Sequence, residues 1–516
     1  MSDDHHAERA PVCRRGTATQ YTGLRADYAA YFKGLSSIGL YTGAAVGLKA
    51  AADSTNGISR FCACVPVPGL PICCPDKNSR SRSGRVGETV ATYSTMGRLK
   101  AIVAGSVVNL VEWYDWYAYS AAALYFAPVF FPQGDQTAQL LQTAAVFAVG
   151  FFARPIGAWI MGRYSDRFGR KRALIGSVAL MCIGSLVIAF TPGAAQIGVA
   201  APIILVLARI LQGLALGGEY GASATYMSEV AGKSYRGFWS SFNYVTLIGG
   251  QLMALLVLIV LRHSIGAEAM NEWGWRVPFV VGAILAVVAF YLRSRMEESQ
   301  SFVQAKASGV ELGSTKMLFK NYPRQTLTVL GLTAGGSLTF YVYTTYMQKF
   351  LTNTAGFTRD EATELSAATL VCFMLAQPLI GWISDKVGRK PMLLMAFGGG
   401  ALITWPVMTT LATASSMTAV FFILLGAMLV QAGYTAINAV VKAELYPSHV
   451  RTLGVALPYA LANATFGGTA EYVALWFKSA GIESGFFIYS SVLMALGFLV
   501  VLTMPDTRRH SQIQED

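Results

Sequence analysis

The sequence predicts an all-α membrane protein with twelve transmembrane helices in two six-helix pseudo-repeats. Composition is the first reason: 54% of the 516 residues are hydrophobic and 13% are charged, whereas a typical soluble domain carries roughly 25% charged residues. The second reason is that apolar runs of membrane-spanning length recur along the chain, and the third is a loop motif found once in each half. So little charge excludes a soluble enzyme.

The apolar runs begin near residue 100, and each is close to the roughly 20 residues that a transmembrane helix needs. Their spacing predicts two six-helix bundles, residues 96–292 and 325–504, which are joined by a central loop at 293–324 and followed by a short tail at 505–516. The twelve runs are centred near residues 115, 150, 182, 212, 249, 284, 337, 373, 401, 429, 464 and 494.

The basic residues are concentrated in alternate loops. Arginine and lysine are abundant in the loop after the second run and in the central loop, whereas the first, third and ninth loops contain none. By the positive-inside rule we expect a multi-pass protein of the cytoplasmic membrane with both termini and the central loop in the cytoplasm. The net charge of +12 is therefore a topology signal and does not indicate a nucleic-acid partner.

Residues 1–95 differ from the rest of the chain. They are polar and include five of the seven cysteines: Cys13, Cys62, Cys64, Cys73 and Cys74. The spacing of these cysteines differs from the paired CxxC of zinc sites, so we predict no metal site. We expect this extension to be a disordered cytoplasmic tail or to precede the natural start of the protein at Met96.

A loop motif between the second and third runs of each half indicates that the halves share one plan. Its glycines permit a tight turn, its aspartate can cap the next helix, and its cations hold the loop on the cytoplasmic side. We therefore expect its residues to control the conformation of the loops. They are Gly162, Asp166, Arg167, Gly169 and Arg170 in the first half, and Gly381, Asp385, Gly388 and Arg389 in the second.

Ionisable side chains inside the apolar runs are the candidate functional residues, because a charge is costly in a membrane. At about 100° per residue, Glu112 and Asp115 of the first run lie on one third of the helix circumference, together with Asn109. Such a polar face must point into the protein. The two carboxylates are candidates for proton coupling, with Asp115 preferred, although a pair locked in salt bridges is also consistent with the pattern.

Further polar residues lie in other runs. Arg154 is a candidate anion ligand or a partner in a gate salt bridge, and Arg209 and Glu219 in the fourth run need partners. Lys349 is either a substrate ligand or an anchor at the membrane interface. Our candidate substrate ligands are Arg154, Tyr117, Gln251 and Lys349, and our candidates for proton coupling are Asp115, Glu112, Arg209 and Glu219.

The repeated loop motif resembles the loop signature of the major facilitator superfamily, whose halves alternate access around a central site. The RxxQG pattern at 209–213 resembles the fourth-helix motif of proton-coupled members, in which the arginine pairs with a first-helix carboxylate. Longer strings resemble the metabolite:proton symporter family and its α-ketoglutarate permease branch. These include residues 109–117 (NLVEWYDWY), 217–221 (GGEYG), 272–278 (EWGWRVP), 344–349 (TTYMQK) and 467–473 (GGTAEYV).

The resemblance implies a symporter that imports a dicarboxylate with protons across the lipid bilayer. We expect it to be a monomer and to need no cofactor. Relatives that carry citrate, shikimate, or betaine and proline leave those substrates open. A receptor that resembles a transporter is the alternative from another class, but the central loop is short for a signalling domain. The sequence contains no phosphate-binding P-loop for ATP, and its scattered histidines suggest no catalytic set.

Overall fold

Helices make up nearly all of the described chain, and no strand occurs within it. This agrees with the long apolar runs, because a membrane-spanning segment must satisfy its backbone hydrogen bonds internally. The computed structural model describes residues 95–168, 170–217, 219–230, 233–294 and 315–513. Most of the predicted N-terminal extension, residues 1–94, and much of the central loop lie outside these ranges.

Within the described ranges the chain forms twelve long helical passes, four of which consist of two helical segments. Short helical turns at Ala194–Ile197, Lys233–Tyr235, Gly274–Arg276 and Thr315–Asn321 lie between them. The passes are α1 (Thr95–Phe130), α2 (Gln136–Phe168), α3 (Arg170–Phe190), α4 (Ala200–Leu216 and Glu219–Val230), α5 (Arg236–Glu272), α6 (Val277–Ser294), α7 (Pro323–Tyr341 and Met347–Asn353), α8 (Arg359–Val387), α9 (Arg389–Ala412), α10 (Met417–Thr435 and Asn438–Glu444), α11 (Ser448–Ala462 and Ala470–Ser479) and α12 (Glu483–Thr503).

Eight helices in the described residues are long and apolar enough to cross a membrane by length and composition alone. The other passes are shorter, more polar or interrupted. In α7 and α11 a π-helical turn, Val342–Tyr346 and Asn463–Gly467 respectively, interrupts the α-helix. Such turns widen the helix and are frequent at functional sites. Both turns lie beside the interface between the halves, because α7 and α11 flank this interface.

Two pairs of helices make the most extensive contacts between the halves. The α5 helix packs along α8, and α2 packs against α11. Glycines allow the closest approach: a Cβ atom added to Gly381 of α8 would lie 2.6 Å from the carbonyl oxygen of Gly237 in α5. No larger residue fits at Gly381 without moving the helices apart.

The loop motif of the second half connects the two halves. The carboxylate of Asp385, in the last turn of α8, accepts hydrogen bonds from the backbone N–H groups of Gly237 and Phe238 at the start of α5, at 2.8 and 2.9 Å. Arg389 Nη1 donates to the same carboxylate at 2.8 Å. The predicted cap on the next helix is therefore wrong for Asp385, because its buried side chain faces α5. The backbone N–H of Arg389 at the start of α9 is instead bound by Asp506.

Gly388 of this motif does have the predicted role in a tight turn. It adopts φ +112° between α8 and α9, a conformation that residues other than glycine rarely adopt. In the first copy of the motif, Gly169 lies outside the described residues, and so do the surroundings of Gly162 and the side chains of Asp166, Arg167 and Arg170.

A buried carboxylate, Glu444 at the end of α10, extends this cluster. Its Oε1 atom lies 3.6 Å from Arg389 Nη2 and 3.9 Å from Arg236 Nη1. The C-terminal tail also reaches it: Thr507 Oγ1 donates to Glu444 Oε2 at 2.6 Å, and the backbone N–H of Gln512 donates to the Glu444 carbonyl at 2.9 Å. We call this end of the bundle the motif end.

The opposite end of the interface is also bridged. Arg262 Nε of α5 donates a hydrogen bond to Asp360 Oδ1 in α8 at 3.0 Å, and Arg262 Nη2 lies 3.0 Å from Asp360 Oδ2 in the same ion pair. Arg359 Nη1 donates to Asn271 Oδ1, also at 3.0 Å. Contacts between the halves therefore close both ends in the part of the chain that the structure describes.

Asp385→Asn should weaken closure of the motif end, because asparagine lacks the charge that binds two N–H groups and Arg389. A hydrogen bond to a charged group contributes roughly 1.5–3 kcal/mol, so the open population should rise about tenfold or more relative to the closed one. Pulsed electron paramagnetic resonance between spin labels at the exposed positions Tyr235 and Val387 measures this as a longer distance. Asp360→Asn, at the opposite end, is the matched control and should not lengthen it. An unchanged distance in Asp385→Asn would contradict the closing role of Asp385.

Candidate functional site

A small cavity lies between the halves. It is formed by α1, α2 and α4 of the first half and by α11 of the second. Charged and polar side chains contribute part of its wall, which is unusual for a space inside an apolar bundle and indicates a polar ligand. The polar and aromatic lining residues are Asn109, Glu112, Trp113, Arg154, Glu219, Tyr220, Tyr459 and Asn463.

Arg154 is the cation of this cavity. Its side chain is 4% exposed, and its guanidinium carbon lies 3.9 Å from the Trp116 ring centroid and 4.1 Å from that of Phe151. The rings give the cation favourable contacts, but its Nε and Nη2 atoms have no hydrogen-bond partner among the described residues. No ion pair of Arg154 occurs there either, so the geometry fits the predicted anion ligand better than a gate salt bridge.

Asp115 is buried within the first bundle and does not line the cavity. Its Oδ1 atom accepts a hydrogen bond from Ser185 Oγ of α3, and its Oδ2 atom accepts one from Gln212 Nε2 of α4 at 2.9 Å. Gln212 Nε2 also lies 2.8 Å from Ser185 Oγ. The carboxylate therefore joins three helices of one half.

Arg209 reaches this carboxylate indirectly. Its Nη1 atom donates to Gln212 Oε1 at 2.7 Å, so Gln212 connects the arginine to Asp115. The Arg209 guanidinium also lies 3.9 Å from the Trp116 ring centroid, the same distance as Arg154. The two buried arginines thus share one indole ring, and a shift of Trp116 would affect both.

The two carboxylates of α1 occupy different environments. Glu112 lines the cavity with Arg154 and Glu219, whereas Asp115 contacts only helices of the first bundle. Both are almost completely buried. The expected polar face of α1 therefore serves two sites: one faces the second half of the molecule, and the other holds the first half together.

Lys349 forms a buried ion pair. Its Nζ atom lies 3.3 Å from Glu471 Oε2 of α11 and donates to Ser120 Oγ of α1. Ser120 Oγ also donates to Glu471 Oε2 at 3.3 Å. The lysine is 0% exposed, so the interpretation as an interfacial anchor is wrong. Sequence reasoning missed Glu471 as its partner, although Glu471 is a charged residue inside the eleventh apolar run.

The remaining candidates lie along the interface but do not line the cavity. Gln251 Nε2 is 3.5 Å from Thr345 Oγ1 of α7, and the Tyr117 hydroxyl donates to the Tyr341 hydroxyl of α7 at 3.4 Å. These contacts tie α5 and α1 to α7. The structure therefore brings Arg154, Glu112 and Glu219 together at the cavity, whereas Lys349, Gln251 and Tyr117 are not among its lining residues.

Three comparisons place the chain among known proteins. A model of the Major Facilitator Superfamily matches residues 107–457 and 332–516. The chain belongs to the major facilitator superfamily. It is 52% identical over 415 residues to the alpha-ketoglutarate permease of Escherichia coli K12, which covers 80% of this chain and 95% of that protein. It is 33% identical to the citrate-proton symporter of Salmonella typhi, over 74% of this chain and 88% of that protein.

A solved structure supports the fold. The proton:xylose symporter XylE, in a complex with 6-bromo-6-deoxy-D-glucose, aligns with a TM-score of 0.67 at 19% identity, over 81% of this chain and 98% of XylE. This likeness shows the fold alone. The two-half, all-helical architecture and the family resemblance predicted from the motifs are confirmed.

Glu471→Gln should lower the free energy of unfolding by about 3–5 kcal/mol, because it leaves the Lys349 ammonium buried without an opposite charge. Replacing both partners, with Lys349→Met and Glu471→Leu, removes both charges and should restore most of the loss. Thermal unfolding of the wild type, the single variants and the double variant in detergent forms the double-mutant cycle. Equal instability of the single and double variants would contradict the pairing.

Dicarboxylate uptake by the same double variant tests the predicted role of Lys349 as a substrate ligand. A purely structural pair predicts that uptake survives the double replacement, whereas a substrate ligand predicts that it is lost while the protein stays folded.

Proposed function

We propose that this protein is a proton-coupled symporter that imports α-ketoglutarate or a similar dicarboxylate by alternating access. The observation that carries the proposal is the buried Arg154 guanidinium, whose free donors line a cavity between the halves. A carboxylate satisfies such donors with charge-assisted hydrogen bonds. The 52% identity to an alpha-ketoglutarate permease supports this substrate within the carboxylates.

The aromatic ring beside Arg154 helps to separate the candidate substrates. Betaines carry a quaternary ammonium that binds in aromatic cages, but the Trp116 ring here already lies against two guanidinium groups. An anionic substrate is therefore favoured over a proline or betaine osmolyte. Citrate remains the second candidate, because the chain is 33% identical to a citrate-proton symporter and citrate carries the same carboxylate groups.

Asp115 is our proposed proton site, followed by Glu112 and Glu219. As a carboxylate, Asp115 accepts hydrogen bonds from Ser185 and Gln212. A protonated Asp115 presents a donor on one oxygen. The Ser185 hydroxyl can rotate to accept this proton, whereas Gln212 Nε2 can only donate, so protonation at Oδ2 breaks the Gln212 contact. Release of Gln212 would free Arg209, which Gln212 now holds at 2.7 Å. Protonation then changes the packing of α1 against α3 and α4.

Alternating access requires the two ends to open in turn. The Asp385, Arg389 and Glu444 cluster supports a gate at the motif end, and the Arg262 and Asp360 pair supports one at the opposite end. By the positive-inside rule we assign the motif end and both termini to the cytoplasm. Our functional unit is the monomer, with 96–292 and 325–504 as the two moving bundles and 1–95 outside them.

The function is tested directly by uptake. Vesicles that contain the protein should accumulate labelled α-ketoglutarate when the outside is made acidic, and a protonophore should abolish accumulation. Unlabelled dicarboxylates should compete, whereas proline and betaine should not. Accumulation of betaine would contradict the proposal, and so would α-ketoglutarate uptake that the protonophore does not reduce.

Asp115→Asn should abolish accumulation against a gradient, because asparagine resembles the protonated carboxyl permanently. Counterflow exchange of substrate across the membrane should survive, since exchange needs binding and rocking but no net proton movement. The measurement compares uphill uptake with counterflow in Asp115→Asn and Glu112→Gln. If both variants still accumulate substrate under an imposed pH gradient, coupling does not reside in α1, and Glu219 is the next residue to test.

A further inference from the structure

A second buried cation lies beside the cavity. Lys442, in the last segment of α10, is 0% exposed, and its Nζ atom has no hydrogen-bond partner in the described part of the chain. Its neighbours are aromatic: the ammonium lies 4.2 Å from the Tyr459 ring centroid, 5.7 Å from that of Tyr220 and 5.8 Å from that of Tyr434. Rings attract a cation, but they do not satisfy the three N–H donors of an ammonium group.

Two of the three rings beside Lys442 belong to the cavity wall. Tyr220 of α4 and Tyr459 of α11 line the cavity with Arg154, and their rings stack with centroids 3.6 Å apart. One ring belongs to each half. Separation of the halves at the motif end must therefore separate this pair and open a path between the cavity and the ammonium group.

The nearby carboxylate is already engaged. Glu444, two residues after Lys442, binds Arg389, Arg236 and Thr507. Asn438 Nδ2 donates to the hydroxyl groups of Tyr220 and Tyr244, at 3.0 and 2.9 Å, which fixes the tyrosines next to the lysine. Lys442 is thus fixed in position by its neighbours, and its N–H donors remain available to bind an anion.

We infer that Lys442 binds the second carboxylate of the transported dianion, while Arg154 binds the first. This inference rests on the proposed function and adds a specificity-determining residue to it. Each half then contributes one cation, Arg154 from α2 and Lys442 from α10, so that a molecule with two carboxylates bridges the halves. A monocarboxylate of the same length engages only one of them.

The test compares two ligands that differ only in the distal carboxylate: α-ketoglutarate and 2-oxopentanoate. Competition against labelled α-ketoglutarate uptake gives the apparent affinity of each for the wild type, Lys442→Met, Lys442→Arg and Arg154→Gln. In Lys442→Met the preference for the dicarboxylate should fall about tenfold to hundredfold, the range expected for one lost charge-assisted pair. Lys442→Arg keeps the charge and should keep most of the preference.

The exposed residue Lys320 lies outside the twelve passes, and Lys320→Gln is the matched control for loss of one positive charge. Arg154→Gln should lower both affinities by a similar factor, because both ligands carry the first carboxylate that Arg154 binds. If Lys442→Met lowers both affinities by one factor, or neither, the inference is overturned. If Lys442→Met does not reach the membrane, Lys442→Gln takes its place in the same comparison. Failure of the wild type to take up α-ketoglutarate would contradict the proposed function instead.

Discussion

A charge buried in a low-dielectric interior must be compensated, and this constraint organises the interior of the protein. Buried cations in the described part of the interior are compensated in different ways. Lys349 is paired with Glu471, and this ion pair stabilises contacts between helices. Arg209 donates to Gln212, but its Nε and Nη2 atoms have no hydrogen-bond partner among the described residues. Arg154 and Lys442 lie against aromatic rings and also keep donors without a partner there. Such donors mark where the protein can still gain interactions, which is the property that a binding site needs.

The same constraint explains how the loop motif of the second half closes the interface between the two halves. Asp385 and Arg389 belong to one loop motif, yet their bonds run to the start of α5 and to Glu444 of α10. Because these charges are buried only while the helices are together, separation exposes them to water and lowers the cost of losing their partners. The paired charges stabilise the closed state, and water solvates the same charges when the helices separate. Two states of similar free energy are therefore possible.

Much of the fold follows from the sequence because local patterns determine it. Apolar runs predicted the helical passes, and the charged residues inside them predicted Asp115, Arg154 and Arg209 as interior groups. Pairings between distant segments were not predictable in this way, since neither hydropathy nor helical period encodes them. This is why the partner of Asp385 was predicted on the wrong helix and Glu471 was missed. Lys442 could have been found, as it is a charged residue near the end of the tenth apolar run.

The described part of the C-terminal tail contacts the carboxylate that closes the motif end. Thr507 and Gln512 bind Glu444, and Arg451 Nη2 donates to the Gln512 carbonyl oxygen at 3.0 Å. The last described residues therefore lie in the same environment as the cluster. Their surroundings must change whenever the cluster opens. A small environment-sensitive fluorophore attached just beyond this tail would consequently act as an optical reporter of turnover, and a bulky fusion joined there without a spacer would disturb the transport cycle.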